Sequence, residues 1–190
     1  MSNRPDPRTA RTDRALADAV LRLAAERPVS RISVAELTEA AGVTRPTFYH
    51  RYRSPLELLL RVLDTDLAEV YQREERWRAE EDPSSDEALR RATGELVDHV
   101  ARFADVYRQT LEDPADRGVY EALVRHFSDY SLAFMARSTN PELPAGDREL
   151  MAQFVAYGFA GAIKAWLADG GLSRDDLVNA VVACAPVWWR

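Results

Sequence analysis

The sequence predicts an all-α protein in which a small N-terminal helix-turn-helix domain precedes a larger helical domain. Apolar residues recur at spacings of three and four along most of the 190 residues, which is the period of an amphipathic helix. The alternation of apolar and polar residues that marks a half-buried strand does not occur in the sequence. Proline, glycine and Ser/Asp clusters separate the helical segments, as expected for the connections of a helical protein.

Composition and charge favour a soluble protein with one basic end. Hydrophobic residues make up 46% and charged residues 29% of the chain, which is typical of globular proteins. The net charge of −6 argues against a nucleic-acid partner, but residues 1–61 contain 11 arginines and seven acidic residues. The acidic excess therefore lies entirely in residues 62–190, and the N-terminal part is suited to phosphate.

The sequence divides into three parts. Residues 1–10 are polar, contain two prolines and are predicted to be a disordered tail. Residues 11–53 form the predicted helix-turn-helix domain, whose first helix runs from Thr12 to Glu26 and ends before Pro28. Residues 54–190 form the predicted larger helical domain.

Residues 33–52 have the signals of two short helices joined by a glycine turn. Ser33 and Glu36 have the spacing of a capping box, in which each residue binds the backbone N–H of the other. Gly42 stands where a helix end requires a left-handed residue. Thr44 can cap the second helix, and Pro46 falls in its first turn, where a missing N–H is tolerated. Two helices joined in this way form a helix-turn-helix.

The second of these helices has a basic surface without acidic residues. The run from Thr44 to Arg53 contains no Asp or Glu. Arginines attract phosphate, and short polar side chains at the start of such a helix reach base edges in the major groove. We therefore expect Arg45 and Thr47 to read bases, and Arg51, Arg53 and the Tyr49 hydroxyl to hold phosphates. The candidate DNA-binding residues are Ser33, Thr44, Arg45, Thr47, Tyr49, His50, Arg51 and Arg53. The alternative is a basic surface helix packed by its aromatic residues.

A long fourth helix is predicted from the Ser54-Pro55 pair to about Arg78, followed by a loop over residues 80–87. Helical periodicity resumes at Asp86 and breaks near residues 102–104. Asp113-Pro114 caps a further helix, and residues 138–147 form a second loop.

The last two helices differ from the others because the first of them is apolar on nearly all sides. It covers residues 150–167, and Ser173 caps the final helix, which ends at Pro186. A helix that is apolar all round must be buried all round. We therefore expect a homodimer through residues 150–168 and 173–189, the alternative being an internal core helix. The predicted interface residues are Phe154, Ala160, Ile163, Lys164, Leu167, Leu177, Val181 and Trp188.

Catalytic and metal-binding patterns are missing from the sequence. His50, His99 and His126 have no second ligand at metal-binding spacing, and neither phosphate-binding glycine loops nor a nucleophile elbow occur. Cys184 is the only cysteine and is expected to be a buried, inert side chain. The chain is therefore predicted to be neither an enzyme nor a cofactor or metal protein. Without a signal sequence or an uninterrupted apolar run long enough to span a bilayer, it is expected to be cytoplasmic.

The segment AELTEAAGVTRPTFYHRYRSPLELL resembles the DNA-binding signature of TetR-type repressors, and the resemblance is specific over residues 11–63. Thr44, Thr47 and Tyr49 match the capping, base-reading and phosphate-contacting positions of that family, and Tyr52 matches the aromatic anchor of its recognition helix. Four positions depart from the family pattern: Thr38 replaces alanine, Pro46 replaces glycine, Arg51 replaces histidine, and Pro55 replaces a phosphate-contacting lysine. Arg51 and Arg53 are the candidates to replace that lysine's charge.

The resemblance implies a homodimer formed by the last two helices and a small-molecule effector bound in the acidic helical body. The candidate effector-pocket residues are His99, Phe103, Tyr107, His126, Tyr130, Phe134 and Tyr157. An effector near Phe103, Tyr107, Tyr130 and Tyr157 is expected to push on the fourth helix and tilt the DNA-binding domain. The predicted function is thus a dimeric repressor that an effector releases from a near-palindromic operator. The alternative is a helical protein-interaction module without ligand-gated DNA binding.

Overall fold

The computed structural model describes residues 7–81 and 84–189, and these residues form helices and connections without any strand. The prediction of an all-α fold is therefore confirmed. The α-helices of the described residues are α1 (Pro7–Glu26), α2 (Val34–Ala41), α3 (Arg45–Tyr49), α4 (Pro55–Glu81), α5 (Ser85–Arg102), α6 (Ala104–Glu112), α7 (Arg117–Arg137), α8 (Arg148–Ala168) and α9 (Arg174–Cys184). Short 3-10 turns cover Val29–Arg31, Pro114–Asp116 and Val187–Trp189.

The chain folds into two units. Unit 1 comprises Met1–Asp64 and Phe103–Val119, and unit 2 comprises Thr65–Arg102 and Tyr120–Arg190. The predicted domain boundary between residues 53 and 54 does not coincide with this division. The first turns of α4 belong to unit 1 because Leu58, Leu59 and Leu63 are buried there, and α6 belongs to unit 1 because it packs against α1.

Helix α1 begins earlier than predicted. It starts at Pro7, so residues 7–10 of the predicted disordered tail are helical, and residues 1–6 lie outside the described part of the chain. Thr12 thus lies inside the helix, and its hydroxyl donates to the Arg8 carbonyl at 3.1 Å. Leu16 and Val20 are fully buried, as the periodicity predicts, and they form the centre of the core of unit 1.

A buried carboxylate ties the two 3-10 turns of unit 1 together. Asp116 is fully buried, and its Oδ1 accepts a hydrogen bond from the backbone N–H of Ser30 at 2.9 Å. Asp113 caps the turn Pro114–Asp116 by accepting from the Ala115 N–H, and it also lies 3.3 Å from Arg31. The predicted Asp113-Pro114 cap is thus real, but it starts a 3-10 turn that leads into α7.

Unit 2 is built mainly from α5 and the helices that follow Val119. The loop predicted over residues 80–87 is shorter, because α4 continues to Glu81 and α5 starts at Ser85. Ser84 and Glu87 bond each other's backbone N–H groups at the start of α5, so the helix begins before the expected Asp86. Helix α5 packs against α9, and Arg174 Nη2 donates to Asp98 Oδ2 at 2.8 Å.

Helix α8 has two apolar faces, and unit 2 covers one of them. The buried face consists of Ala152, Val155, Ala156, Ala160, Ile163 and Leu167. The second face, which we call the exposed α8 face, consists of Leu150, Phe154, Tyr157, Gly158, Gly161 and Ala165. Phe154 on this face is 79% exposed. The predicted loop before α8 and the predicted Ser173 cap of α9 are both confirmed.

This arrangement corrects most of the predicted dimer-interface residues. Six of the eight are at most 7% exposed and pack inside unit 2: Ala160, Ile163, Leu167, Leu177, Val181 and Trp188. Phe154 and Lys164 are exposed. Cys184 is exposed as well, so the prediction that it is buried is wrong. The error has one cause: a sequence that is apolar on all sides does not indicate which side faces its own chain.

Helix α8 is also long and apolar enough, by length and composition alone, to cross a membrane. The sequence prediction had excluded a span because no apolar run is uninterrupted, and Lys164 indeed lies within this helix. One third of its most apolar stretch is buried in the fold. The high hydropathy of α8 thus reflects its two apolar faces.

A buried histidine joins α5 to α4 in unit 2. His99 is fully buried, and its Nδ1 lies 2.6 Å from Asp66 Oδ2, while Arg102 Nη1 donates to Asp66 Oδ1 at 2.6 Å. Burial lowers the pKa of His99 below its ordinary value, and this effect outweighs the opposing attraction of Asp66. The neutral imidazole therefore donates from Nδ1 to the carboxylate of Asp66.

The depressed pKa predicts that acid destabilises the protein through His99. In the unfolded state His99 binds a proton near its ordinary pKa of 6.5. The protein therefore keeps its full stability above this pH and loses stability as the pH falls below it. The free energy of unfolding should decrease by at most about 1.4 kcal/mol per pH unit. Urea titrations between about pH 7.5 and 5 measure it. The variant His99→Gln should flatten this dependence, whereas the exposed-site control His50→Gln should retain it. Equal slopes in all three proteins would contradict the assignment.

Candidate nucleic-acid interface and ligand cavity

Helix α2 begins with the predicted capping box. Ser33 Oγ accepts from the Glu36 backbone N–H at 3.2 Å, and the Ser33 N–H donates to Glu36 Oε2 at 3.2 Å. These hydrogen bonds lower the pKa of Glu36, with Arg27 adding a smaller effect. The box therefore holds a charged Glu36 at neutral pH, and it loses this contribution to helix stability when the pH falls through that lowered pKa.

The turn between α2 and α3 depends on Gly42. Its φ of +65° lies in the left-handed region, and its N–H donates to Glu39 O at 3.1 Å. The Val43 N–H donates to Thr38 O at 3.0 Å, so the carbonyls of Thr38 and Glu39 in the last turn of α2 are satisfied. A side chain at position 42 would meet no atom within 4 Å. The glycine is required for its backbone conformation and not for lack of space.

Helix α3 is a single short helix held at its start by two threonines. Thr44 Oγ1 accepts from the Thr47 backbone N–H at 3.4 Å, and the two hydroxyl oxygens lie 2.8 Å apart. Pro46 lies in the first turn, as predicted. The helix ends at Tyr49, with His50 as its C-cap, so the residues predicted to contact phosphate extend beyond the helix itself.

Phe48 fixes α3 to the core of unit 1 and thereby turns its neighbours outward. Phe48 is fully buried, whereas the adjacent Tyr49 is 59% exposed. The Phe48 ring packs against Tyr49 at 5.6 Å and against Tyr52 at 5.8 Å between centroids. Burial raises the pKa of Tyr52, consistent with its predicted role as an aromatic anchor.

The structure exposes most of the predicted DNA-binding residues on one short stretch of chain. The exposed members are Ser33, Thr44, Arg45, Tyr49, His50 and Arg53, and Thr47 is half-buried. We call Arg45, Tyr49, His50 and Arg53 the basic surface. It presents two guanidinium groups, an imidazole and a phenol with no carboxylate between residues 44 and 53, a combination suited to phosphate and base edges.

Arg51 differs from its neighbours because it is engaged inside unit 1. Its Nη1 donates to Asp13 Oδ1 on α1 at 2.6 Å, and its side chain is 23% exposed. Arg51 therefore joins the end of the recognition helix to α1, and its expected contact with phosphate stays a prediction. The sequence contained no signal for this pair, because the two residues are 38 positions apart.

The start of α4 provides no cation at the position where the family has a lysine. Pro55 is buried, and Ser54 Oγ accepts from the Glu57 N–H at 3.1 Å. Glu57 Oε2 in turn accepts from the Arg53 backbone N–H at 2.8 Å. With Arg51 engaged, the exposed Arg53 side chain is the candidate to supply the missing charge.

Unit 2 contains an apolar cavity of about 30 Å³. Its walls come from α4, α5, α7, α8 and the last 3-10 turn. The lining residues are Val70, Tyr71, Glu74, Leu89, Ala92, Thr93, Leu96, Phe127, Tyr130, Ser131, Phe159 and Trp189. A cavity of this size accommodates about one water-sized group.

The seven predicted effector residues are not brought together. Only Tyr130 lines the cavity. Phe103 and Tyr107 belong to unit 1, His99 binds Asp66, and Tyr157 is half-exposed on the exposed α8 face. The remaining two, His126 and Phe134, lie in unit 2 beside Tyr71 and Trp189 respectively.

Glu74 is the charged residue of the cavity lining, and sequence reasoning missed it. It is 1% exposed, and its Oε2 has no hydrogen-bond partner in the protein. A signal was present in the sequence, because Glu74 continues the apolar series Leu63, Leu67 and Val70 at helical spacing. An acidic residue in such a series is predicted to be buried, either as part of a structural ion pair or as part of a ligand site. Among the described residues, no group of three or more His, Cys, Asp or Glu is arranged to hold a metal ion.

Comparisons with known proteins agree with both parts of the chain. Residues 16–62 match the family described as bacterial regulatory proteins, tetR family, and residues 87–172 match the family described as transcriptional regulator C-terminal region. The first match covers α1 through the start of α4, including the basic surface. A search of the curated proteins finds no significant match.

Several solved structures share the fold at low sequence identity. The fatty acid degradation regulator FadR from Bacillus halodurans is 17% identical, with 95% of each chain covered and a TM-score of 0.70. FadR from Bacillus subtilis in complex with stearoyl-CoA is 18% identical, with 90% of this chain and 95% of that chain covered and a TM-score of 0.68. FadR from Thermus thermophilus in complex with lauroyl-CoA is 20% identical, with 90% and 91% covered and a TM-score of 0.66.

The Arg51–Asp13 contact predicts an energetic coupling between α1 and the end of α3. For a partly exposed pair we expect a coupling of about 0.5–1 kcal/mol in a double-mutant cycle of Arg51→Ala and Asp13→Ala. Chemical denaturation of the four proteins measures it. The same cycle with Arg53→Ala in place of Arg51→Ala is the control and should give no coupling. A coupling of zero would show that Asp13 does not hold Arg51, whose side chain could then bind phosphate.

Proposed function

The chain belongs to the TetR family of bacterial transcriptional regulators, and from this we propose that it is a dimeric repressor released from its operator by a small-molecule effector. The observation that carries the proposal is the basic surface. Buried Phe48 on one side of α3 directs the acid-free cluster of Arg45, Tyr49, His50 and Arg53 toward solvent. A helix-turn-helix with this surface is suited to the major groove.

The proposed contacts divide between base reading and phosphate binding. Arg45, at the start of α3, is the candidate for bidentate contact with a base edge. Thr47 shares its hydroxyl with Thr44, so its methyl group is the part best suited to contact a base. Arg53 and the Tyr49 hydroxyl are the candidates for phosphate, with Arg51 holding the helix end in place.

The proposed dimer uses the exposed α8 face. Leu150, Phe154 and Tyr157 leave large apolar side chains in water, and contiguous exposed apolar surface of this kind marks a protein interface. A groove of about 320 Å³ beside it is lined by residues of α8 and α9, including Gly158, Ala180 and Cys184. A second copy of the chain is the proposed occupant, since a two-fold axis would place the same face on both partners.

Dimerisation would place two copies of the basic surface at the spacing that an operator requires. Two recognition helices related by a two-fold axis meet the half-sites of a near-palindrome when they lie on the order of 34–36 Å apart, about one turn of DNA. An effector that favours a different spacing would weaken binding only by the difference between its affinities for the two states. A coupling of about 1–3 kcal/mol would change DNA affinity roughly 5- to 150-fold.

Helix α4 is the proposed route of that coupling. It begins at Pro55, two residues after Arg53, and its later turns contribute Val70, Tyr71 and Glu74 to the cavity wall of unit 2. A ligand that moves these side chains acts on the helix that also follows the recognition helix. The alternative function, a helical protein-interaction module, has the exposed α8 face in its favour but leaves the basic surface without a role.

The first prediction from this proposal concerns Arg53. The variant Arg53→Ala should weaken binding to all DNA sequences to a similar degree, because phosphates carry no sequence information. The slope of the logarithm of the binding constant against the logarithm of salt concentration should flatten by about one per protomer. Fluorescence anisotropy with DNA flanking the chain's own gene measures this slope.

A matched control removes one arginine elsewhere. Arg125→Ala deletes an exposed arginine of α7 in unit 2, so it alters net charge by the same amount and should leave the slope unchanged. If Arg53→Ala behaves like Arg125→Ala, the basic surface does not hold phosphate. Binding that is insensitive to salt in the unmodified chain would favour the protein-interaction alternative.

The second prediction concerns the dimer. Phe154→Arg should produce monomers, because it places a charge in the centre of the proposed interface. The substitution should cost the fold little, because the Phe154 side chain is 79% exposed in the single chain. Sedimentation velocity at micromolar concentration gives the mass. Ala136→Arg, at an exposed position of α7, is the control and should remain dimeric. An unmodified chain that sediments as a monomer would refute the proposed interface.

A further inference from the structure

The cavity of unit 2 is enclosed by aromatic rings. Tyr71 stacks on Tyr130 with 5.2 Å between centroids and an interplanar angle of 16°. Trp189 stacks on Phe134 at 5.0 Å, and its centroid lies 6.2 Å from that of Phe159. Aromatic faces carry partial negative charge and attract cations, most strongly where water is excluded. An apolar wall of this kind therefore favours a cationic group as well as an apolar one.

Glu74 adds a carboxylate to this enclosure. Its Oε1 accepts from Arg78 Nε, and the Tyr130 hydroxyl donates to the same oxygen at 3.4 Å. Its Oε2 is buried and has no hydrogen-bond partner in the protein, and Glu74 is one of the residues that line the cavity. A buried carboxylate oxygen without a donor is costly. A hydrogen-bond donor beside Oε2 would remove this cost, and a charged donor forms the stronger hydrogen bond with a carboxylate.

A surface groove of unit 2 includes Arg78, the residue that binds Glu74. The groove measures about 460 Å³, and its lining includes Arg78, Phe134, Arg137 and Trp188. Arg78 binds Glu74, which lines the cavity, and Phe134 stacks on Trp189, which also lines it. Both arginines of the groove are paired with carboxylates, Arg78 with Glu74 and Arg137 with Glu75. The groove therefore does not present an unbalanced positive charge to an incoming cation.

The volumes limit what enters each space. The cavity of about 30 Å³ matches an ammonium group, which is close to water in size. The groove is large enough for an apolar body attached to that ammonium. The excess of acidic residues in 62–190 also favours the approach of a cation.

We infer that the cavity beside Glu74 binds the ammonium group of an organic primary amine, whose apolar body lies along the groove at Phe134 and Trp188. In this arrangement Glu74 Oε1 stays with Arg78 and Oε2 accepts from the ammonium. The inference names the effector class of the proposed repressor and rests on that proposed function. It departs from the acyl-CoA ligands of the structurally similar FadR proteins.

The test uses two probes of nearly equal shape. The probes are 2-phenylethylamine, a cation at neutral pH, and 2-phenylethanol, its neutral counterpart. Because Trp189 lines the cavity, tryptophan fluorescence of the full chain reports binding, and calorimetry gives the affinity. The amine should bind roughly ten- to a hundredfold more tightly than the alcohol, as expected for a hydrogen bond to a buried charge.

Three variants assign the preference to the cavity. Glu74→Gln keeps the shape but removes the charge, and it should abolish the preference for the amine. Glu69→Gln makes the same change at an exposed residue of the same helix and should retain it. Tyr71→Leu keeps an apolar wall without a ring, and it should weaken amine binding severalfold while leaving alcohol binding unchanged. Equal affinities for both probes, or full amine affinity in Glu74→Gln, would overturn the inference.

Operator binding separates this inference from the proposed function. The amine should release DNA from the unmodified chain but not from Glu74→Gln. If lauroyl-CoA releases the chain from DNA, while the amine neither binds the chain nor releases it from DNA, the cavity assignment is wrong and the ligand-responsive repressor stands. If the amine binds with the predicted dependence on Glu74 but the chain never binds DNA, the site stands and the repressor proposal is wrong.

Discussion

The burial of Phe48 is the contact on which the nucleic-acid interface depends. Helix α3 has only five residues, and an isolated helix of that length is unstable in water. Phe48 places the underside of the helix in the core of unit 1, and the Arg51–Asp13 pair secures its end. The surrounding cations can then remain exposed without having to stabilise the helix themselves. Rigid support of this kind is what a recognition element requires.

Apolar surface is distributed unevenly over the chain, and this accounts for the proposed assembly. Among the described residues of unit 1, the large apolar side chain that is exposed is Tyr49, which lies on the basic surface. In unit 2, the exposed α8 face keeps Leu150, Phe154 and Tyr157 in water. The small residues Gly158 and Gly161 on the same face allow close approach of another helix. The fold is complete without this face, which makes it available to a partner.

Three buried or half-buried carboxylates illustrate different uses of charge. Asp66 has a partner for each oxygen, His99 and Arg102, and so joins α4 to α5. Asp116 holds two turns together through the Ser30 N–H. Glu74 has partners on one oxygen only, its other oxygen is buried without a partner, and the residue lines an aromatic cavity. The first two contribute to structure, whereas the third combines a buried charge with space beside it, the combination expected of a ligand site.

The sequence by itself determined the helices, the capping box at Ser33, the helix cap at Ser173, the left-handed Gly42 and the acid-free stretch of the recognition helix. These features depend on residues within four positions of one another, so local chemistry is sufficient to predict them. Only the tertiary structure decided that Arg51 pairs with Asp13, that Ala160 faces inward while Phe154 faces outward, and that Glu74 borders a cavity. Such outcomes depend on which distant segments pack together, and neither helical periodicity nor composition specifies the partner that a given face will meet.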